Sequence, residues 1–212
     1  LGFIFTFDTI NREISAGTLS NVLSQPVHRD SVINAKVLAG ITTVAISLAG
    51  IVFLVLGYGI LILSAIPTIE ELSRLVFFIF LSIVYLSIWV SIGLLFSVLF
   101  RREGTSALAS VALWLFLSFF ISMVAAPTGS GSLLFLSPTY IFLDASPVVL
   151  LPELRFLGPV SIEQLIGYLP NPLPLSQSLL LVWPHLISLI AITLIIFAIS
   201  YLRFMRQEIK AI

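Results

Sequence analysis

The chain has 212 residues, 59% of them hydrophobic and only 9% charged, and its ten basic and ten acidic side chains cancel. A soluble domain carries about 25% charged residues to keep its surface wet, so lipid must solvate much of this chain. The balanced charge gives no basic excess for a nucleic-acid partner, and the absence of cysteine removes disulfides and thiolate chemistry.

In chain order, Leu1 opens in the middle of an apolar run with neither Met nor a charged leader, so a segment is expected to precede it. Leu1–Phe7 is too short to cross a bilayer and fits the end of a further helix. Residues 8–36 are moderately polar. Ile10, Ile14, Val22 and Leu23 can form an apolar stripe, with Asn11, Arg12, Asn21 and Gln25 on the other side. Gly17 permits a bend, Pro26 stops a helix, and Asp30 or Ser31 can cap the helix that follows. The pattern predicts an elbow lying along the membrane surface, although a plain amphipathic connector explains the same residues.

A helix needs roughly 20 apolar residues to cross the hydrocarbon core. Four stretches qualify, at 37–66, 75–100, 106–126 and 179–202, with Pro184 and His185 near the start of the last. The first three contain no Asp, Glu, Lys, Arg or His. These spans predict an all-α, polytopic transmembrane helix bundle forming one membrane domain over residues 1–212. Small residues at four-residue spacing, Ala35/Ala39 and Ala45/Ala49, allow close helix contact.

Between the first and second spans, Pro67–Arg74 reads as a short turn containing Glu70 and Glu71. Residues 127–178 form a long segment holding eight of the eleven prolines. It begins with the flexible run Thr128-Gly129-Ser130-Gly131-Ser132 and then alternates apolar pieces with proline breaks, as at Ser137-Pro138 and Ser146-Pro147. Ser161-Ile162-Glu163-Gln164 fits a capping box ahead of Leu165, Ile166 and Leu169, which predicts one short amphipathic helix. Tyr140, Tyr168 and Trp183 suit an interfacial belt.

Arg12, Arg29 and Lys36 precede the first span, Arg101 and Arg102 lie between the second and third, and Arg203, Arg206 and Lys210 follow the fourth. Two crossings separate each group from the next, so eight of the ten basic residues fall on one face. The positive-inside rule then places residues 8–36, 101–105 and 203–212 in the cytoplasm of a cell-membrane protein. Residues 127–178 fall outside.

The chain has no GxxxxGK[ST], HExxH or GxSxG motif. Apart from His185 at a membrane edge, the spans offer only hydroxyls and backbone, which argues against proton or sodium coupling. His28, His185, Met123 and Met205 are widely scattered. No catalytic, cofactor-binding or metal-binding residue is expected on this chain.

The pattern Glu13-x-x-x-Gly17-Thr18-Leu19, then Leu23-Ser24-x-Pro26-Val27-x-Arg29, then Lys36 before a long span, resembles the permease subunits of type-two, export-class ABC transporters. The closing Tyr201-Leu202-Arg203-Phe204-Met205-Arg206-Gln207-Glu208-Ile209-Lys210 is similar to the end of that family, and the branch it resembles most includes permeases of the copper-enzyme maturation type. The resemblance implies six spans in a complete member. It implies an elbow that docks in a groove of a separate P-loop ATPase subunit, which would carry ATP and Mg. Glu13, Gly17, Thr18 and Leu19 would shape that element, and Pro26, Arg29 and Lys36 would set its exit into the membrane. The turn at Arg101 and Arg102 is a second candidate contact. A second permease copy or a sister permease would complete the unit in the bilayer. The scarcity of Met, His and Cys gives no support for copper as cargo. The alternative is a non-transporting membrane scaffold or assembly factor.

Overall fold

A computed structural model describes residues 2–16, 28–64, 66–100, 102–128, 131–154, 157 and 173–206. All regular structure among them is helical. A 3₁₀ turn, Gly2–Phe5, leads to a short helix, Asn11–Ser15. The first long helix is Arg29–Leu63 and the second is Ile69–Leu99. A third begins as Glu103–Leu115, passes through a π-helical turn at Phe116–Phe120 and continues as Ile121–Thr128. The short helices Gly131–Leu134 and Pro138–Leu150 precede the fourth long helix, Leu175–Met205. Among the described residues, four helices are long and apolar enough to cross a membrane, as composition and run length predict. The first of them leaves Leu54 75% and Leu61 80% exposed, a surface that only hydrocarbon or another apolar face can solvate.

The helix ends show why the elements start and stop where they do. Thr68 and Glu71 form a capping box: Thr68 N–H donates to Glu71 Oε2 over 2.6 Å, and Glu71 N–H donates to Thr68 Oγ1 over 3.3 Å. Glu70, Glu71 and Arg74 therefore lie on the second long helix and not in a turn. The first long helix already includes Asp30 and Ser31, the expected caps. Asp30 instead sits in the first turn, where a carboxylate favours the helix dipole. That helix ends at Ser64, whose φ of 49° is the left-handed conformation common just past a C-terminus.

The Ser137-Pro138 step, read from sequence as a break, is a helix start. Ser137 Oγ accepts from the Tyr140 N–H at 3.3 Å, and Pro138 occupies the first turn, where its missing N–H has no intrahelical role. Pro147 falls in the last turn of the same helix, and Pro184 sits inside the fourth long helix, well past its start. The Ser161–Gln164 capping box lies outside the described residues.

The chain divides into two compact units. One comprises Leu1–Ala45, Leu86–Phe120 and Ala191–Ile212. Its core is Ile10, Ile33, Val37, Leu94, Val98 and Phe204, edged by Val32, Ile41, Phe197 and Tyr201. Close approach there depends on glycine. A Cβ on Gly40 would lie 2.8 Å from Thr6 Cγ2, and one on Gly93 would collide with Thr6 Oγ1 and sit 2.9 Å from the Phe3 carbonyl oxygen. Thr6 fills the space so created and donates its hydroxyl to the Val90 carbonyl at 2.9 Å.

The other unit comprises Ile46–Tyr85 and Ile121–Ile190. At its centre Arg74 is 2% exposed. Its Nε and Nη2 donate to Glu70 Oε1 at 3.3 and 2.9 Å, and Nη1 donates to the Val149 carbonyl at 3.1 Å and to Ser178 Oγ at 3.3 Å. Nη2 also reaches the Leu173 carbonyl. Five N–H groups thus meet acceptors from the second long helix, the Pro138–Leu150 helix, the fourth long helix and the residues just before it, which satisfies a guanidinium that burial would otherwise make costly. Tyr85 stacks on Phe142 with ring centroids 4.5 Å apart.

Candidate functional site

The residues singled out from sequence are Glu13, Gly17, Thr18, Leu19, Pro26, Arg29, Lys36, Arg101 and Arg102. Of these, Gly17, Thr18, Leu19, Pro26 and Arg101 lie outside the described residues. Glu13, Arg29, Lys36 and Arg102 are placed.

Glu13 lies in the short helix Asn11–Ser15 and Lys36 in the first long helix. Their side chains meet, with Lys36 Nζ 2.7 Å from Glu13 Oε1. The same ammonium donates to the Thr9 carbonyl at 3.0 Å. Lys36 is only 11% exposed and Glu13 35%, so salt and water screen this pair less than a surface pair. Arg29 opens the same long helix, roughly two turns before Lys36. Arg102 is exposed and precedes the third long helix without a side-chain cap.

Two hydroxyls fix the elbow from neighbouring helices, and a third reaches out from the segment just before it. Ser97 Oγ, on the second long helix, accepts the backbone N–H groups of Ile10 at 2.8 Å and Asn11 at 3.1 Å. Those two amides begin a helix and have no intrahelical acceptor of their own, so Ser97 caps that helix from outside. Ser106, at the start of the third long helix, donates to the Phe7 carbonyl at 2.6 Å. Thr6 binds the second long helix as described above. Ile10, fully buried, adds an apolar anchor in the cluster that includes Phe204 of the fourth long helix. The elbow is therefore joined to all four long helices by named contacts.

Around this frame the surface differs from the interior. An open groove of about 290 Å³ runs along the first long helix, lined by Phe5, Thr9, Ala35, Lys36, Ala39, Gly40 and Thr43. The expected Ala35/Ala39 pair lines this groove, and the close packing falls instead on Gly40. Asp8 and Arg12 pair at 3.4 Å on the exposed side, with the Arg12 side chain 70% exposed. The arrangement offers a charged, accessible helix end on a base pinned to the helices behind it.

Sequence reading missed Thr6, Ser97 and Ser106. Each is a single hydroxyl in an apolar run, and the signal that could have marked Ser97 is its recurrence with Ser87 and Ser91 as buried hydroxyls on one helix.

A family model described as "ABC-2 family transporter protein" matches residues 1–209. No curated protein matches the chain.

Proposed function

We propose that this chain, which belongs to the ABC-2 transporter family, works as a permease subunit driven by a separate ATP-binding subunit that docks on the elbow. Family membership supports the permease role and a multi-pass place in the membrane. The finer reading, that Glu13, Gly17, Thr18, Leu19, Pro26, Arg29 and Lys36 form the docking element, with Arg101 and Arg102 as a second contact, rests on the resemblance of that residue pattern to the family's elbow. The observation that carries it is the Glu13–Lys36 ion pair at 2.7 Å together with the Ser97 cap. A docked ATPase that shifts the short helix must move Lys36, and hence the first long helix, in the same step.

In this reading residues 8–36, 101–105 and 203–212 face the cytoplasm of the cell membrane, which the distribution of basic residues supports. Two permeases, identical or sister chains, pair with two ATPase chains. ATP and Mg bind the ATPases, and closure of that pair moves the docked elbows and shifts the helices between inward-facing and outward-facing states. The permease contributes differential binding of cargo in the two states and no covalent step.

The test is capture of a P-loop ATPase subunit by the permease in mild detergent. Capture that survives washing supports the docking reading. Absence of capture by a folded, inserted permease would move the account to a membrane scaffold.

A further inference from the structure

Asp144 and His185 belong to segments with little in common in sequence, one in the proline-rich stretch and one inside the fourth long helix. The fold brings them together. Asp144 Oδ2 lies 3.0 Å from His185 Nε2, and the two side chains are 5% and 8% exposed. The Phe135 ring covers the imidazole at 5.9 Å, and Tyr140, one turn before Asp144, packs edge-on against Phe135 at 5.8 Å. His185 Nδ1 is buried and has no hydrogen-bond partner among the described residues. The residue after Asp144, Ala145, is fully buried, as are Val148 and Val149 a turn later. The pair therefore sits in the contact that holds the Pro138–Leu150 helix against the fourth long helix.

The charge count of this pair decides its strength. An imidazolium facing a carboxylate is net neutral. Loss of the imidazolium proton leaves one carboxylate charge in a site closed to water, and a buried uncompensated charge is costly. We propose that Asp144 and His185 form a proton-binding site whose occupied state latches the Pro138–Leu150 helix to the fourth long helix. Histidine is the side chain whose charge ordinarily changes between about pH 5 and 8, which sets the pH range of the test. The inference stands whether or not the elbow docks an ATPase.

The other titratable groups on the packed elements do not compete for this role. Tyr140, on the helix of Asp144, has its pKa raised by burial and then by the Asp144 charge, so it keeps its proton across the histidine range. Tyr85, on the second long helix, meets Thr139 Oγ1 at 3.2 Å through its hydroxyl. Arg74 is committed to Glu70, Val149, Leu173 and Ser178, and Glu71 to the capping box with Thr68. Glu153 follows the C-terminal end of the Pro138–Leu150 helix.

Hydrogen exchange of the full chain in nanodiscs tests the latch, with protection in residues 141–150 corrected for the intrinsic rate at each pH. From about pH 6 to pH 8.5, wild-type protection there is expected to fall at least about fivefold, the lower end of what one uncompensated buried charge costs. The double variant Asp144→Asn with His185→Gln retains a hydrogen-bonding pair without a titrating group, and its protection should change less than about twofold over the same range. His185→Gln alone leaves Asp144 uncompensated and should begin less protected than wild type at the acid end. Wild-type protection that ignores pH, or a double variant that loses protection as wild type does, would overturn the proposal. So would a His185→Gln variant as protected as wild type.

Discussion

Lys36 Nζ lies 2.7 Å from Glu13 Oε1, and this contact joins the short helix of the elbow to the first long helix across 23 positions of sequence (36 − 13). The Thr9 carbonyl holds the same ammonium at 3.0 Å, so the two bonds set both ends of one turn of the elbow against Lys36. A double-mutant cycle on Glu13→Gln and Lys36→Met reads the pair directly. Because Glu13 is about one-third exposed, solvent weakens the interaction, and a coupling energy of about 0.5–1 kcal/mol is expected from thermal or denaturant unfolding in detergent. A value indistinguishable from zero would mean that the pair transmits nothing.

Ser97→Ala removes one oxygen and leaves two amides, those of the fully buried Ile10 and Asn11, without an acceptor. Each unsatisfied buried donor costs about 1–3 kcal/mol, so the substitution should lower the melting temperature clearly while leaving the membrane-inserted fraction unchanged. Ser97→Thr keeps the hydroxyl and should recover most of the loss. If Ser97→Ala melts like wild type, the Ser97 cap contributes little to holding the elbow.

Arg74→Lys preserves charge but replaces a planar fork of five donors with a single ammonium. The Val149 and Leu173 carbonyls, Ser178 and Glu70 are too widely placed for one ammonium to serve. The expected loss is on the order of 3 kcal/mol, read as a drop in melting temperature and as proteolytic sensitivity in residues 138–154. A tolerated lysine would show that the guanidinium network contributes little.

The spans were legible because their signal is local. Runs such as Leu75–Phe100 need no partner to declare themselves, and four helices of the required length and apolarity follow. Helix starts were less legible where two rules compete. Ser137-Pro138 satisfies both a proline break and a capped first turn, and only the packing of Ile141, Ala145 and Val148 selects the second. Thr68-x-x-Glu71 carried a capping box in plain view, but its place between two apolar runs favoured reading it as a turn. Of the elbow, Glu13 and Lys36 were legible through the resemblance to a family pattern of residue types, whereas Ser97 and Ser106 were not, because their partners are backbone groups 86 to 99 positions away. Asp144 and His185 were hidden for the same reason. Neither residue alone distinguishes a ligand from a satisfied polar group, and only the fold pairs them.

The most direct test of the central claim compares wild type with Glu13→Ala/Gly17→Leu in ATPase co-purification, after confirming equal membrane insertion and melting temperature. The account predicts that wild type captures the ATPase and the double variant does not, with Arg74→Lys retaining capture despite its lower stability because Arg74 lies outside the elbow. Equal capture by wild type and the Glu13/Gly17 variant would contradict the assignment of the coupling contact to the elbow.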